Sequence, residues 1–138
     1  MAPVTRGASE SLSGSETVLL VEDETSLRDI VCQSLEASGY RVLSAASGAE
    51  ALALNRAESR VDLLITDVVM PGMGGRRVAE VIRATRPHLR VVYMSGYTDS
   101  SIVDHGLLEP GVTFVQKPFT TDTLLRKIRE VLDAPEKR

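Results

Sequence analysis

The chain has 138 residues, 43% hydrophobic and 25% charged, which suits one globular domain able to bury roughly 70% of its unfolded surface. Its net charge is −3, and its lysines and arginines form no long cluster, which argues against direct contact with nucleic acid. One cysteine, Cys32, excludes an internal disulfide and suits a reducing compartment, and no apolar run approaches the roughly 20 residues of a membrane span.

Residues 1–16, MAPVTRGASESLSGSE, are rich in Ser, Gly and Glu and lack both periodic apolar positions and the apolar core of a signal peptide. They read as a disordered leader or linker, with a folded domain over 17–134 and a short tail at 135–138. The expected location is the cytoplasm, either free or as the cytoplasmic piece of something larger.

From residue 17 the pattern alternates. Short apolar runs fall at 17–21, 40–45, 63–66, 90–94 and 112–115, each flanked by polar or turn residues. They are apolar at nearly every position, as parallel strands covered on both faces must be. Between them lie helical spacings. Leu27, Ile30, Val31 and Leu35 mark a first helix that Gly39 would stop. Ser47 followed three residues on by Glu50 is a capping-box signature for a second. Val78, Val81 and Ile82 mark a third that must end before Pro87. Residues 99–107 form a weaker fourth pattern, and Leu124, Leu125, Ile128, Val131 and Leu132 a clear fifth. Five strand-helix units predict a doubly wound α/β fold.

In such sheets ligands bind beyond the carboxyl ends of the strands, where strand order reverses. Here the first strand runs out into Glu22-Asp23-Glu24, the third into Asp67, the fourth into Ser95 and the fifth into Lys117. Neighbouring carboxylates raise one another's pKa unless a cation sits among them, and oxygen-only ligation favours magnesium. A lysine ammonium and a hydroxyl on the same rim would hold the remaining oxygens of a phosphoryl group. Asp67, at the centre, would then be a nucleophile able to form an aspartyl phosphate.

Four motifs in order, VLLVEDE, LLITDVVMPGMGG, VVYMSGY and FVQKPF, make the chain from residue 17 to 133 resemble a receiver domain of a two-component response regulator. The resemblance implies a flavodoxin-like, CheY-like sheet of five parallel strands in the order 2-1-3-4-5 with five helices, the first and fifth on one face. It implies that Asp67 accepts a phosphoryl group from the phosphohistidine of a histidine kinase or phosphotransfer domain. It assigns Mg2+ to Glu22, Asp23, Asp67 and the backbone carbonyl of Val69, with Asp23 the direct ligand and Glu22 acting through water. Ser95 matches the switch hydroxyl, Lys117 the lysine that pairs with the phosphoryl group, and Phe114 the switch aromatic. Lacking a hydroxyl, Phe114 would signal through ring burial alone. The Lys117-Pro118 bond is often cis in this family. Self-phosphorylation and self-dephosphorylation at Asp67 would be the domain's own chemistry, and dimerisation through the face of the last two helices is a family-level expectation.

Other readings are weaker. A flavin protein of this fold needs a Ser, Thr or Gly loop after the first strand, where this chain has EDETS. An aspartate-based phosphohydrolase needs a second acid at the position of Val69. A receiver serving only as a docking module would not need the full set of acids and lysine. Neither His88, after Pro87, nor His105 has the context of a phosphate donor. Asp23 is also placed to cap the first helix, Met70, Met73 and Met94 read as packing residues, and Cys32 reads as a buried structural thiol. Only APEKR follows the last helix. The expected settings are therefore the receiver of a hybrid sensor histidine kinase, or alternatively a stand-alone regulator.

Overall fold

The computed structural model describes residues 12–96 and 112–134. Strand β1 (Thr17–Val21) leads to helix α1 (Thr25–Ala37), then β2 (Arg41–Ala45), α2 (Gly48–Ala57), β3 (Leu63–Asp67), α3 (Gly75–Thr85), β4 (Arg90–Ser95), β5 (Phe114–Gln116) and α4 (Thr121–Asp133). The five strands form one parallel sheet in the order β2-β1-β3-β4-β5. Helix α4 is the fifth predicted helix; the fourth predicted one, at 99–107, and His105 lie outside the described residues.

Every position of β1 and β3 is buried. Strand side chains alternate between faces, and here each face has its own helices. Val18, Leu20, Leu63 and Ile65 pack with Val31 and Leu35 of α1 and with Leu124, Leu125 and Ile128 of α4. Leu19, Val21 and Leu64 pack with Ala51 of α2 and with Val78, Ala79 and Ile82 of α3. Burying one such leucine fully contributes about 2 kcal/mol.

The edges depart from the uniform pattern. In β2, Arg41 and Ser44 are exposed and Val42 and Leu43 only half-buried, because no strand lies beyond it. At the other edge β5 spans only Phe114–Gln116. Ile30 is 56% exposed, since it lies a third of a turn from the buried Val31. Cys32 is half-buried at the margin of the core instead of fully buried.

Helix ends are secured by named groups. Ser47 Oγ accepts from the Glu50 N–H at 3.2 Å, and Glu50 reaches back to the N–H of Ala46, one residue before the ideal capping-box position. Helix α3 ends at Thr85, two residues before Pro87. Arginines satisfy the last carbonyls of two helices: Arg86 donates to Asn55 O at 3.0 Å and Glu58 O at 2.6 Å beyond α2, and Arg90 donates to Val131 O and Ala134 O at the end of α4.

Residues 12–16, leader-like in composition, lie against the domain. Gly14 N donates to Ser38 O at 3.0 Å and Arg41 N to Glu16 O at 3.1 Å. Glu16 also binds Arg129 of α4 at 2.9 Å, and the same guanidinium donates to the hydroxyl of Tyr40 at 3.1 Å. Burial works against the charge on Glu16, but the guanidinium holds its carboxyl below the usual range. Between these anchors Gly39 takes a φ of 103°, the left-handed conformation that ends α1.

Candidate functional site

All five strands run the same way, so their carboxyl ends share one rim. Strand order reverses between β1 and β3, which puts Glu22 and Asp23 beside Asp67. One carboxylate oxygen from each of the three acids lies within 4.8 Å of the others. The fifth strand brings Lys117 across. Its Nζ donates to Glu22 Oε1 at 2.9 Å and to Asp67 Oδ2 at 3.0 Å. Ser95 ends β4 one residue beyond Met94, the register partner of Asp67, and is 2% exposed. Its carbonyl accepts from the Lys117 N–H at 2.6 Å, so backbone pairing sets where the lysine stem leaves the sheet. The Lys117-Pro118 peptide is cis.

Glu22 is the most constrained of the acids. It is 1% exposed, its Oε1 is taken by Lys117, and its Oε2 accepts from the Glu24 N–H at 3.0 Å. Arg28 fixes its backbone by donating to the Glu22 carbonyl at 2.7 Å. Burial, with the charge of Asp67 adding to it, pushes the Glu22 pKa up to about 7. Burial also disfavours the Lys117 ammonium, but its bonds to Glu22 and Asp67 outweigh that and raise its pKa. Three carboxylates against one ammonium leave the rim short of positive charge. An all-oxygen donor set of this kind suits a hard divalent cation such as magnesium, with the exposed Asp23 the acid most open to solvent. Asp23 is not the cap of α1. That place is taken by Glu24, whose side chain makes no capping bond.

Behind Asp67 the chain turns through 68–74 into α3. Val69 is 52% exposed, so its side chain faces solvent. Gly72, with φ 77°, makes the turn. The Gly75 N–H donates back to Val68 O at 2.9 Å, and the buried Thr66 hydroxyl donates to Asp67 O at 3.0 Å. Phe114 is half-buried, paired in register with Tyr93 and packed on the core of the α2–α3 face. Glu22, Asp23, Asp67, Ser95 and Lys117 thus converge on the rim, whereas Phe114 sits behind it at the sheet edge. Nothing in the sequence singles out Arg28 or Thr66; only the glycine pair of PGMGG hints at Gly75.

Known proteins share this fold and much of this sequence. The family model for the response regulator receiver domain matches residues 18–129. The chain is 37% identical over 123 residues to the sensor kinase CckA of Brucella abortus, covering 88% of this chain but only 13% of that kinase. A crystal structure of the receiver domain of the hybrid histidine kinase CckA is 37% identical, with a TM-score of 0.71, over 84% of this chain and 98% of that one. The response regulator TrrA of Thermotoga maritima, solved with Mg2+ and BeF, is 29% identical with a TM-score of 0.71, over 85% of this chain and 99% of that one. The chain belongs to the response regulator receiver domain family of two-component phosphorelays.

Proposed function

We propose that Asp67 is the phosphoacceptor of this receiver and takes its phosphoryl group from the phosphohistidine of a histidine kinase or phosphotransfer domain. The observation that carries the reading is the placement of Asp67: at the end of a central strand, two acids within 4.8 Å, and Lys117 on Oδ2. Mg2+ held by Asp23, Asp67 and the Val69 carbonyl, with Glu22 through water, would supply charge neutralisation for the incoming phosphoryl oxygens. The Mg2+ and BeF in the TrrA structure support that assignment.

Oδ1 of Asp67, the oxygen that Lys117 does not hold, attacks the phosphorus in line. As the new P–O bond forms, the P–N bond breaks and its electron pair returns to the imidazole, which leaves neutral when its other nitrogen is protonated. Lys117 then exchanges a carboxylate oxygen for a phosphoryl oxygen, and the Ser95 hydroxyl turns toward the same group. Phe114 follows by burying its ring. The result is a two-state equilibrium tipped by new charge-assisted bonds, for which a few kcal/mol suffice. The exposed Ile30 gives a protein donor an apolar contact in the cleft beside Lys117, lined by Leu27, Pro118 and Phe119.

The match to CckA supports a receiver that works within a hybrid sensor kinase, and its proposed place is the cytoplasm. No helix among the described residues is long and apolar enough to cross a membrane. The test is intact mass after incubation with acetyl phosphate and Mg2+, in which the attacked P–O bond breaks and acetate leaves. One phosphoryl adduct is expected in the wild type and none in Asp67→Asn or with chelator. An adduct that persists in Asp67→Asn refutes the assignment.

A further inference from the structure

We infer that Thr66 and Gly75 form a clasp on the backbone of Asp67 and are positioning residues for phosphoryl transfer, an inference that rests on Asp67 being the phosphoacceptor. Asp67 is the last residue of β3; one further ladder bond, from the Val68 N–H to Met94 O at 2.9 Å, follows it, and the chain turns outward at the exposed Val69. Its side chain is steered from the front by Lys117 on Oδ2. The Val68 N–H anchors one side of the Asp67–Val68 peptide to β4; the carbonyl side needs its own hold, because a tilt of that peptide swings the carboxylate as a whole.

Two contacts provide it. The Thr66 hydroxyl, on a side chain with no exposure, donates to Asp67 O at 3.0 Å. Gly75 closes over the same carbonyl. A Cβ at Gly75 would lie closer than 3.0 Å to Asp67 O, a separation real Cβ atoms do not show, and 3.0 Å from both the Asp67 carbonyl carbon and Thr66 Cγ2. The φ of Gly75 is not in the left-handed region, so a glycine is required there by space and not by conformation. With the Gly75 N–H bonded to Val68 O at 2.9 Å, the start of α3 is fitted against the peptide that carries the nucleophile. In-line attack tolerates little error: displacing a reacting atom by 1 Å can cost about a hundredfold in rate.

Thr66 allows a test that separates position from stability. Thr66→Val keeps the shape but removes the donor, whereas Thr66→Ser keeps the donor but removes a buried methyl. Both are expected to lower the melting temperature, the first by leaving a carbonyl short of a bond and the second by opening a small cavity. Their phosphorylation rates should diverge. With acetyl phosphate and saturating Mg2+, followed by intact mass on folded protein, Thr66→Ser should stay near the wild-type rate and Thr66→Val should fall roughly tenfold, the order of one hydrogen bond in the barrier. Gly75→Ala should lose about a hundredfold where it folds. If Thr66→Val is as fast as Thr66→Ser, or folded Gly75→Ala is as fast as the wild type, the clasp is overturned while Asp67 stands. If the wild type forms no adduct, or Asp67→Asn still forms one, the phosphoacceptor reading fails and the clasp's role fails with it.

Discussion

Glu22→Gln should stabilise the protein when divalent cations are chelated, and the gain should depend on pH in a particular way. In the folded chain the Glu22 pKa is about 7, above its ordinary 4.5. Between those values the folded protein keeps a proton that the unfolded chain has released, so stability falls as pH rises through the window. Below it both states are protonated and the cost vanishes; above it the cost is complete. A difference of roughly 2.5 pKa units corresponds to about 3 kcal/mol. Glutamine is neutral throughout and escapes that cost, but it has a single acceptor oxygen where Glu22 uses two, one for Lys117 and one for the Glu24 N–H. Forfeiting one of those bonds returns about 1 kcal/mol. The net gain is then about 2 kcal/mol near pH 8, or roughly 8 °C in Tm for a domain of this size.

The assay is urea unfolding of both proteins from pH 4 to 8.5 in chelator, plotted as the difference in stability. The expected curve is flat at low pH, rises between the ordinary and the shifted pKa, and levels off above. Millimolar Mg2+ should then stabilise the wild type more than the variant and narrow the gap, because a ligand stabilises by the extent to which it binds the folded form. A difference curve flat across the whole range, or a variant less stable at pH 8, would refute the claim that the buried acid cluster is under-compensated without metal. Lys117 would then balance it alone.

Two further outcomes test the fold around the site. A chain beginning at residue 12 should be more stable than one beginning at residue 17 by about 1–2 kcal/mol, the worth of one or two part-buried bonds such as Glu16 to Arg129 and Gly14 to Ser38; equal urea midpoints would show that the strap is idle. Ser47→Ala should cost about 1 kcal/mol through its lost bond to the Glu50 N–H, measured by thermal unfolding, with no change in the rate of adduct formation, because Ser47 lies at the start of α2 and not among the rim acids.

The parts of this molecule that were legible in its sequence are those written in side-chain type. β1 and β3 read as buried strands because Val, Leu, Ile and Thr fill both of their faces, and the acids that follow them read as a site because no core tolerates that much unpaired charge. The reading weakened where neighbours, not residue types, decide exposure. Val42 and Leu43 are as apolar as Leu19 and Leu20, yet they lie in an edge strand and stay half-buried, and Ile30 fits the helical spacing of α1 while facing solvent. Residues 12–16 carry one apolar side chain, Leu12, and are held largely through backbone and charged groups, so hydrophobic periodicity has nothing to register there.

The same distinction runs through the site itself. The roles proposed for Asp67, Lys117 and Ser95 rest on their side chains, and these residues could be placed from strand ends alone. Thr66 and Gly75 meet a backbone oxygen, one by donating to it and the other by having no Cβ to keep it away. Threonine is an ordinary strand residue and glycine an ordinary turn residue, so neither identity discloses the contact. A phosphoacceptor needs both kinds of support: chemistry that a motif can spell, and a carbonyl held still enough for that chemistry to reach phosphorus in line.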